Sequence, residues 1–222
     1  MVTPQESDRI AKAWLKCRYS TADIFLEKEY LALRKYMKKN TLTLDLMCGP
    51  GVLAERFPAS NIVAVDFSRA MLNLARNNNR NIKPVLADAT KLPFSNNSFS
   101  LVFCMGNSIP DLPSSISREI VISEAHRVIK KNGVFILSFV NRYGIDTELP
   151  KRIIWHIIHL ISTNNVDPWG WRYYSQYMNE YIYMHYYSIP EMKKVLYQAG
   201  FRMIQLESRP LDTICIISCR KK

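Results

Sequence analysis

A strand, a glycine-bearing turn and the start of a helix follow one another between residues 41 and 57, and this order strongly constrains the fold. Residues 41–46 carry the branched and apolar side chains that are typical of a buried strand. Gly49 and Gly51 let the backbone approach a ligand closely, because no Cβ intervenes. Residues 52–57 are predicted to form the first turns of a helix whose N–H groups face that ligand. The segment therefore predicts a site for a nucleotide-like cofactor.

Two classes of cofactor bind to such a turn, and an acidic residue beside it distinguishes them. Gly49, Gly51 and Ala54 satisfy the G-x-G-x-x-G/A spacing of dinucleotide sites, and Asp66 is then the expected ribose ligand. Asp45, however, lies at the end of the strand, where its charge would repel a pyrophosphate. The same charge would attract the ammonium and sulfonium groups of S-adenosylmethionine. The sequence favours this cationic ligand over a dinucleotide.

The same segment resembles the first motif of class I S-adenosylmethionine-dependent methyltransferases, which usually reads D-x-G-C-G-x-G. Here the seven residues are Asp45-Leu46-Met47-Cys48-Gly49-Pro50-Gly51. Met47 replaces the first glycine of the family, so the backbone at this position must tolerate a side chain.

Four further segments resemble the later motifs of that family, in the same order along the chain. They are a strand and helix start at residues 61–76, a strand at 84–89, a loop and strand at 91–107, and a helix end at 125–133. Ser100 stands where the family usually has an aspartate. Gly133 is expected to end its helix as a C′ residue.

The resemblance implies a role for each of these motifs in cofactor binding. Asp66 is expected to bind the ribose hydroxyls, and the helix after it to supply an apolar wall for adenine. Asp88 is expected near the adenine amino group, with the next backbone N–H on a ring nitrogen. The full set of expected cofactor-binding residues is Asp45, Cys48, Gly49, Gly51, Asp66, Phe67, Met71, Asp88, Ala89 and Met105.

The fold implied by the resemblance is α/β and doubly wound. We expect a seven-stranded, mostly parallel sheet whose last strand is antiparallel, because residues 202–207 and 212–219 read as two closing strands. Ser188 and Gly200 bound a helix before them. The prediction is one domain over residues 1–222, with an N-terminal helical cap at 1–40 and an aromatic-rich, substrate-side insertion after strand five, at 142–186.

The methyl acceptor is constrained less. Residues 104–113 are similar to a stretch of some small-molecule N-methyltransferases, and Asn107 is the candidate to orient the acceptor. Tyr19, in the predicted cap, and His185, in the insertion, are further catalytic candidates, and each can equally be a packing residue. No residue stands out as a general base. A small-molecule N or O acceptor is the first expectation, because the insertion offers aromatic walls with few concentrated cations.

Two alternatives remain open. The net charge of +11 suits a phosphate backbone, so a tRNA or other RNA acceptor is the second expectation, although the cations are spread along the chain. The departures at Met47 and Ser100 leave room for a non-catalytic methyltransferase-like subunit that activates a partner. The sequence says nothing about oligomeric state.

Bulk features indicate a protein of the cytoplasm. We find no apolar run long enough to span a membrane and no leader with a cleavage site, so stable membrane insertion is not expected. The five cysteines are odd in number and lie mostly in apolar segments, which favours reduced, buried thiols over a disulfide framework. No cluster of Cys and His has metal-ligand spacing, so no metal is expected.

Overall fold

The computed structural model describes residues 23–38, 40–58, 61–112, 114–145, 170–175 and 180–222, together with the single residues 150, 153, 154 and 157. Four helices in this part of the chain are α1 (Asp23–Leu33), α2 (Arg69–Asn78), α3 (Ser115–Val128) and α4 (Ile189–Gln198). The strands are β1 (Thr43–Leu46), β2 (Ile62–Asp66), β3 (Lys83–Leu86), β4 (Phe99–Cys104), β5 (Ile129–Val140), β6 (Gly170–Ser175), β7 (Glu180–His185), β8 (Phe201–Leu206) and β9 (Ile214–Lys221).

Seven of these strands form one sheet in the order β3-β2-β1-β4-β5-β9-β8. Strands β1 to β5 pair in parallel, and their order reverses between β1 and β4. Open α/β sheets bind ligands at the carboxyl ends of their strands beside such a reversal. The sheet is covered by apolar side chains on both faces, as the near-continuous apolar runs of β1, β2 and β4 require.

The sheet closes with the predicted antiparallel hairpin. Strand β9 pairs antiparallel with β5 and with β8, so the prediction of a seven-stranded, mostly parallel sheet with an antiparallel last strand is confirmed. Helix α4 precedes β8 and begins with a capping box, in which Ser188 and Glu191 bond each other's backbone N–H groups. It ends as predicted before Gly200, which has a φ of +92°.

The helix predicted at residues 52–57 is instead a single 3-10 turn, Ala54–Arg56. Helix α2 explains its shortness, because the amides of Asn78 and Asn79 donate to the carbonyls of Pro50 and Ala54 at 2.8 and 2.9 Å. Pro58 follows immediately and disfavours a helical conformation in the residue before it. The glycine turn is therefore closed by tertiary contacts rather than by a long helix.

The end of α3 also differs from the prediction. The helix ends at Val128, five residues before Gly133, and strand β5 begins directly at Ile129. Asn132, and not Gly133, takes the left-handed conformation, with a φ of +63°. Gly133 is still required, because a Cβ there would lie 2.9 Å from the carbonyl oxygen of Lys130 and 3.1 Å from that of Ser100.

The predicted insertion contains an antiparallel hairpin of its own, formed by β6 and β7. Its amide at His185 donates to the carbonyl of Pro110 at 2.9 Å, which joins the hairpin to the loop after β4. Tyr19 and most of the predicted cap lie outside the described residues, as do most of residues 146–169. The roles of the cap and the insertion, and the single-domain division, stay predictions.

The described cysteines Cys48, Cys104, Cys215 and Cys219 are free thiols, and three of them are buried. None of the helices that the structure describes has both the length and the apolar character that a membrane span needs.

Candidate functional site

The turn after β1 has a left-handed backbone at three positions. Met47, Gly49 and Gly51 have φ values of +59°, +53° and +71°. Met47, which replaces the family's first glycine, therefore adopts a left-handed conformation that glycine favours, and its partly buried side chain packs against the core cluster on the face of the sheet opposite helix α1. Ser108 approaches the Met47 carbonyl with its Oγ at 3.4 Å. The left-handed turn therefore forms with methionine in place of the family's first glycine.

Asp66 links this turn to the start of α2. Its Oδ2 accepts the backbone N–H of Gly49 and its Oδ1 that of Ser68, each at 2.9 Å. A carboxylate offers about four lone-pair sites, and these backbone bonds, with a further one from Phe67, leave capacity for a ligand hydroxyl. Burial raises the pKa of Asp66, while the hydrogen bonds from Ser68 and Gly49 lower it in part. Ser68 also caps the helix, because its Oγ accepts the N–H of Met71 at 3.2 Å.

The residues expected around adenine lie next to this link. Phe67 follows Asp66 and is 46% exposed, so its ring is accessible to a ligand at this strand end. Met71 is buried. At the end of β3, Asp88 is exposed and its Oδ1 accepts the N–H of Thr90 at 2.8 Å. The Ala89 side chain is buried, and no hydrogen bond to its N–H occurs within the described part of the chain.

Two more carboxylates are buried at the same edge of the sheet. Asp45 is the last residue but one of β1, and burial raises its pKa well above the ordinary value, with the charges of Asp66 and Glu29 raising it further. Glu29 reaches the edge from helix α1, where its Oε1 accepts the N–H of Gly106 at 2.8 Å and the Oγ–H of Ser138 at 2.5 Å. Burial also raises the pKa of Glu29, against the lowering effect of these two hydrogen bonds.

These carboxylates match the chemistry of S-adenosylmethionine. Within the residues that the structure describes, no Lys or Arg forms an ion pair with Glu29, Asp45 or Asp66. Burying several uncompensated carboxylates together is costly, and a cationic ligand would relieve that cost. Asp66, beside the exposed Phe67, is at the same time placed to bind a ribose. The donor set therefore fits a ligand with a ribose at one end and positive charge at the other.

The loop after β4 brings Asn107 to the same edge. Gly106 and Asn107 both have positive φ, at +68° and +62°, and the Asn107 N–H lies 3.4 Å from the Ser138 hydroxyl. The Oδ1 of Asn107 is buried and has no donor among the described residues. Met105, the residue before this turn, is buried under helix α1. Asn107 is therefore gathered with the cofactor-side residues, as expected from the sequence.

His185, by contrast, is held in a network at the start of α4. Its Nε2 lies 3.1 Å from the Oε1 of Glu191, and the Oε2 of Glu191 accepts from Arg142 at 2.5 Å. Burial raises the pKa of Glu191, but the bond from His185 and the charge of Arg142 outweigh it, so that the net shift is downward. His185 also packs edge-on against Tyr187. These contacts describe a buried structural histidine, although the hairpin that carries it touches the loop of Asn107.

Two site residues were not anticipated from the sequence, namely Glu29 and Ser138. A signal for Glu29 was present, because it lies between Leu26 and Leu33 at helical spacing and therefore shares their buried face. A carboxylate on the apolar face of a helix needs a partner or a function. Ser138 carried no such signal, since a serine within a buried strand is common.

Comparisons with known proteins agree with this geometry. A family model described as "Methyltransferase domain" matches residues 43–133, from β1 into β5. A demethylmenaquinone methyltransferase of Staphylococcus aureus is 25% identical over 185 residues, which cover 78% of this chain and 72% of the relative.

Solved structures show the same fold. A methyltransferase from Methanosarcina mazei that is described as dependent on S-adenosylmethionine superposes with a TM-score of 0.69 at 18% identity, covering 86% of this chain and 96% of its own. A possible histamine N-methyltransferase from Thermotoga maritima superposes with a TM-score of 0.63 at 17% identity, covering 95% of this chain and 93% of its own.

Proposed function

This chain belongs to the class I S-adenosylmethionine-dependent methyltransferases, and we propose that it transfers the methyl group to a nitrogen or oxygen atom of a small molecule. The observation that carries the proposal is the carboxyl edge of the sheet. There Asp66 is held between Gly49 and Ser68, and two further buried carboxylates stand without a cation in the described part of the chain.

The residues at this edge bind and orient rather than react. Bound S-adenosylmethionine supplies an activated methyl group on a sulfonium, which is already a good leaving group. Asp66 would hold the ribose, and Phe67 and Met71 would wall the adenine. Because alignment can supply much of the rate of such a displacement, fixed positions at the strand ends are the main contribution of the protein.

The acceptor would lie over β4 and β5, beside Asn107. The buried Oδ1 of Asn107 has no donor among the described residues, so it would accept a hydrogen bond from an acceptor amine or hydroxyl. Two relatives support a small acceptor. The one from S. aureus is named for demethylmenaquinone, and the one from T. maritima is described as a possible histamine N-methyltransferase. Only the description of the T. maritima protein names an acceptor atom, which is nitrogen, so the choice between nitrogen and oxygen in this chain is left to experiment.

We expect calorimetry to detect binding of S-adenosylmethionine and none of NAD⁺ at equal concentrations. Asp45 and Glu29 favour a cation near the turn and disfavour a pyrophosphate there. Methyl transfer is then tested on two panels of acceptors, one of small quinols and phenols and one of small amines. Tight binding of NAD⁺ without binding of S-adenosylmethionine would contradict the proposal.

RNA is the second candidate acceptor, and the net charge of +11 is the observation that favours it. Several of the described cations are already paired, including Lys35 with Glu207, Arg56 with Glu27 and Arg127 with Glu124. We therefore expect bulk tRNA to bind weakly and to be lost as salt rises. The measurement is fluorescence anisotropy with labelled tRNA at about 50 and 200 mM salt, between which a contact with many phosphates loses about 10³-fold or more in affinity. Binding that stays tight at the higher salt concentration would favour RNA instead.

A further inference from the structure

Helix α1 carries a carboxylate, Glu29, on its buried apolar face, where the hydrogen bonds that it makes do not require a charged residue. Glu29 is 6% exposed and lies between residues that pack into the core beneath the sheet. Only its Oε1 has hydrogen-bond partners, namely Gly106 and Ser138, and no donor to Oε2 occurs among the described residues. A glutamine would accept these same two bonds, so they do not account for a charged residue here.

The position of Glu29 is set by the neighbours of α1 on the sheet. Lys28, the preceding residue, donates to the Asp212 carboxylate at 2.8 Å and to the carbonyl of Ile214 at 3.0 Å. These bonds fasten the helix to the start of β9. Glu29 is thereby held over the ends of β4 and β5, where Gly106 and Ser138 contact it.

Asp45 lies on β1, which pairs with β4, and its side chain is on the face of the sheet that helix α1 covers. Asp45 pairs with Phe103 of β4, and Phe103 pairs with Ile136 of β5, two residues before Ser138. Because side chains alternate between the two faces of a sheet, Asp45 and Ser138 share one face. Glu29 contacts Ser138 on this face and is close enough to Asp45 for their charges to interact.

We propose that Glu29 and Asp45 form a carboxylate pair that is completed by the positively charged methionine end of S-adenosylmethionine, with Glu29 as a specificity residue for that cation. This inference rests on the proposed function, because it assigns a residue to the same cofactor. Asp66 would hold the ribose at the other end of the molecule. Asp45 from β1 is the titratable group on the same face whose charge interacts with Glu29, and Asp66 from β2 interacts in turn with Asp45. The Cys104 thiol of β4 packs on the opposite face of the sheet, and the charge of Glu29 reaches it from across the sheet.

A proton is linked to this binding event. Burial raises the pKa values of both Glu29 and Asp45, so in the free protein these carboxyls hold their protons to a higher pH than they would in water. The arriving cation favours the ionised forms, and the protons leave to solvent. Affinity for S-adenosylmethionine should therefore fall as the pH is lowered below neutrality, because the carboxyls regain their protons at a higher pH than they would in water.

The test is Glu29→Gln, because glutamine copies the shape of the protonated carboxyl and cannot ionise. We expect the Kd for S-adenosylmethionine to rise about tenfold to a hundredfold, as for a lost hydrogen bond to a charged group. S-adenosylhomocysteine lacks the sulfonium charge, so its affinity should fall less than that of S-adenosylmethionine when Glu29 is replaced by Gln. The pH dependence should also become shallower. The matched control is Glu27→Gln, on the same helix, whose side chain is exposed and paired with Arg56; its Kd should stay within about threefold.

Stability separates this role from a structural one. Because burial raises the folded-state pKa of Glu29 above its unfolded value, ionisation at neutral pH opposes folding. Glu29→Gln should therefore be at least as stable as the wild type in urea without cofactor, whereas a structural glutamate would cost stability on replacement.

Three outcomes decide the matter. Unchanged affinity of Glu29→Gln for S-adenosylmethionine, with wild-type binding intact, would overturn this inference alone. Absence of binding by the wild-type protein would overturn the proposed function itself. The pH series on the wild-type protein needs no variant, and an affinity that is constant between pH 5 and 7 would overturn the inference as well.

Discussion

Asp66→Ala is expected to abolish measurable binding of S-adenosylmethionine at micromolar concentrations and to destabilise the protein. The substitution removes the acceptor of two backbone N–H groups, those of Gly49 and Ser68, at the junction of the glycine turn and helix α2. Leaving buried donors without acceptors costs about 1–3 kcal/mol each, although relief from burying the carboxyl returns part of that cost. We expect a net loss of about 2–4 kcal/mol in the free energy of unfolding.

The loss of cofactor affinity should be larger than a single ribose contact explains. The ligand loses its carboxylate partner, and the turn that shapes its site loses an anchor, so we expect at least about a hundredfold weaker binding. Calorimetry and urea unfolding measure the two effects separately. Asp88→Ala is the control, because Asp88 also accepts a backbone N–H beyond a strand end but is exposed. Equal losses of affinity and stability in the two variants would contradict the role of Asp66 as the main ribose ligand and anchor of the turn.

The elements that the sequence predicted well share a local cause. Asp45 and Asp66 follow apolar strand runs, and parallel strands place their carboxyl ends at one edge of a sheet, so these residues could be brought together before any coordinates were known. The caps at Ser68 and Ser188 depend on neighbours within three residues and were equally readable. The family resemblance then supplied the seven-stranded, mostly parallel sheet with its antiparallel last strand.

The features that were missed depend on distant partners. Glu29 meets Gly106 across 77 positions of chain, and no local pattern encodes that contact. The predicted helix after Gly51 is a single turn, and the amides of Asn78 and Asn79 at the end of α2 bond the carbonyls of Pro50 before it and Ala54 within it. Four residues after the end of α3, within β5, Asn132 takes the left-handed conformation that the sequence predicted for Gly133. Local sequence patterns therefore predict the strand ends and caps of this site, whereas contacts between distant residues determine which other side chains join it.

Gly51→Ala should be the most damaging single-methyl change in the glycine turn. Gly51 has a φ of +71°, and a Cβ there would lie 2.8 Å from the Cβ of Ala75 and 3.0 Å from its Cα. Left-handed strain costs about 1–2 kcal/mol for a residue with a side chain, and overpacking adds about 1–3 kcal/mol. We therefore expect a loss of about 2–5 kcal/mol in the free energy of unfolding, measured in urea.

Gly106→Ala separates strain from crowding, since Gly106 has a φ of +68° but nothing within 4 Å of its added Cβ. Its free energy of unfolding should fall only by the cost of the left-handed strain, about 1–2 kcal/mol. Ala75→Gly in the Gly51→Ala background removes the nearer contact and leaves the strain. A double-mutant cycle should then show a favourable coupling of about 1 kcal/mol or more between the two positions. If the cycle shows no coupling, close packing of the turn on α2 is not the reason that position 51 requires glycine.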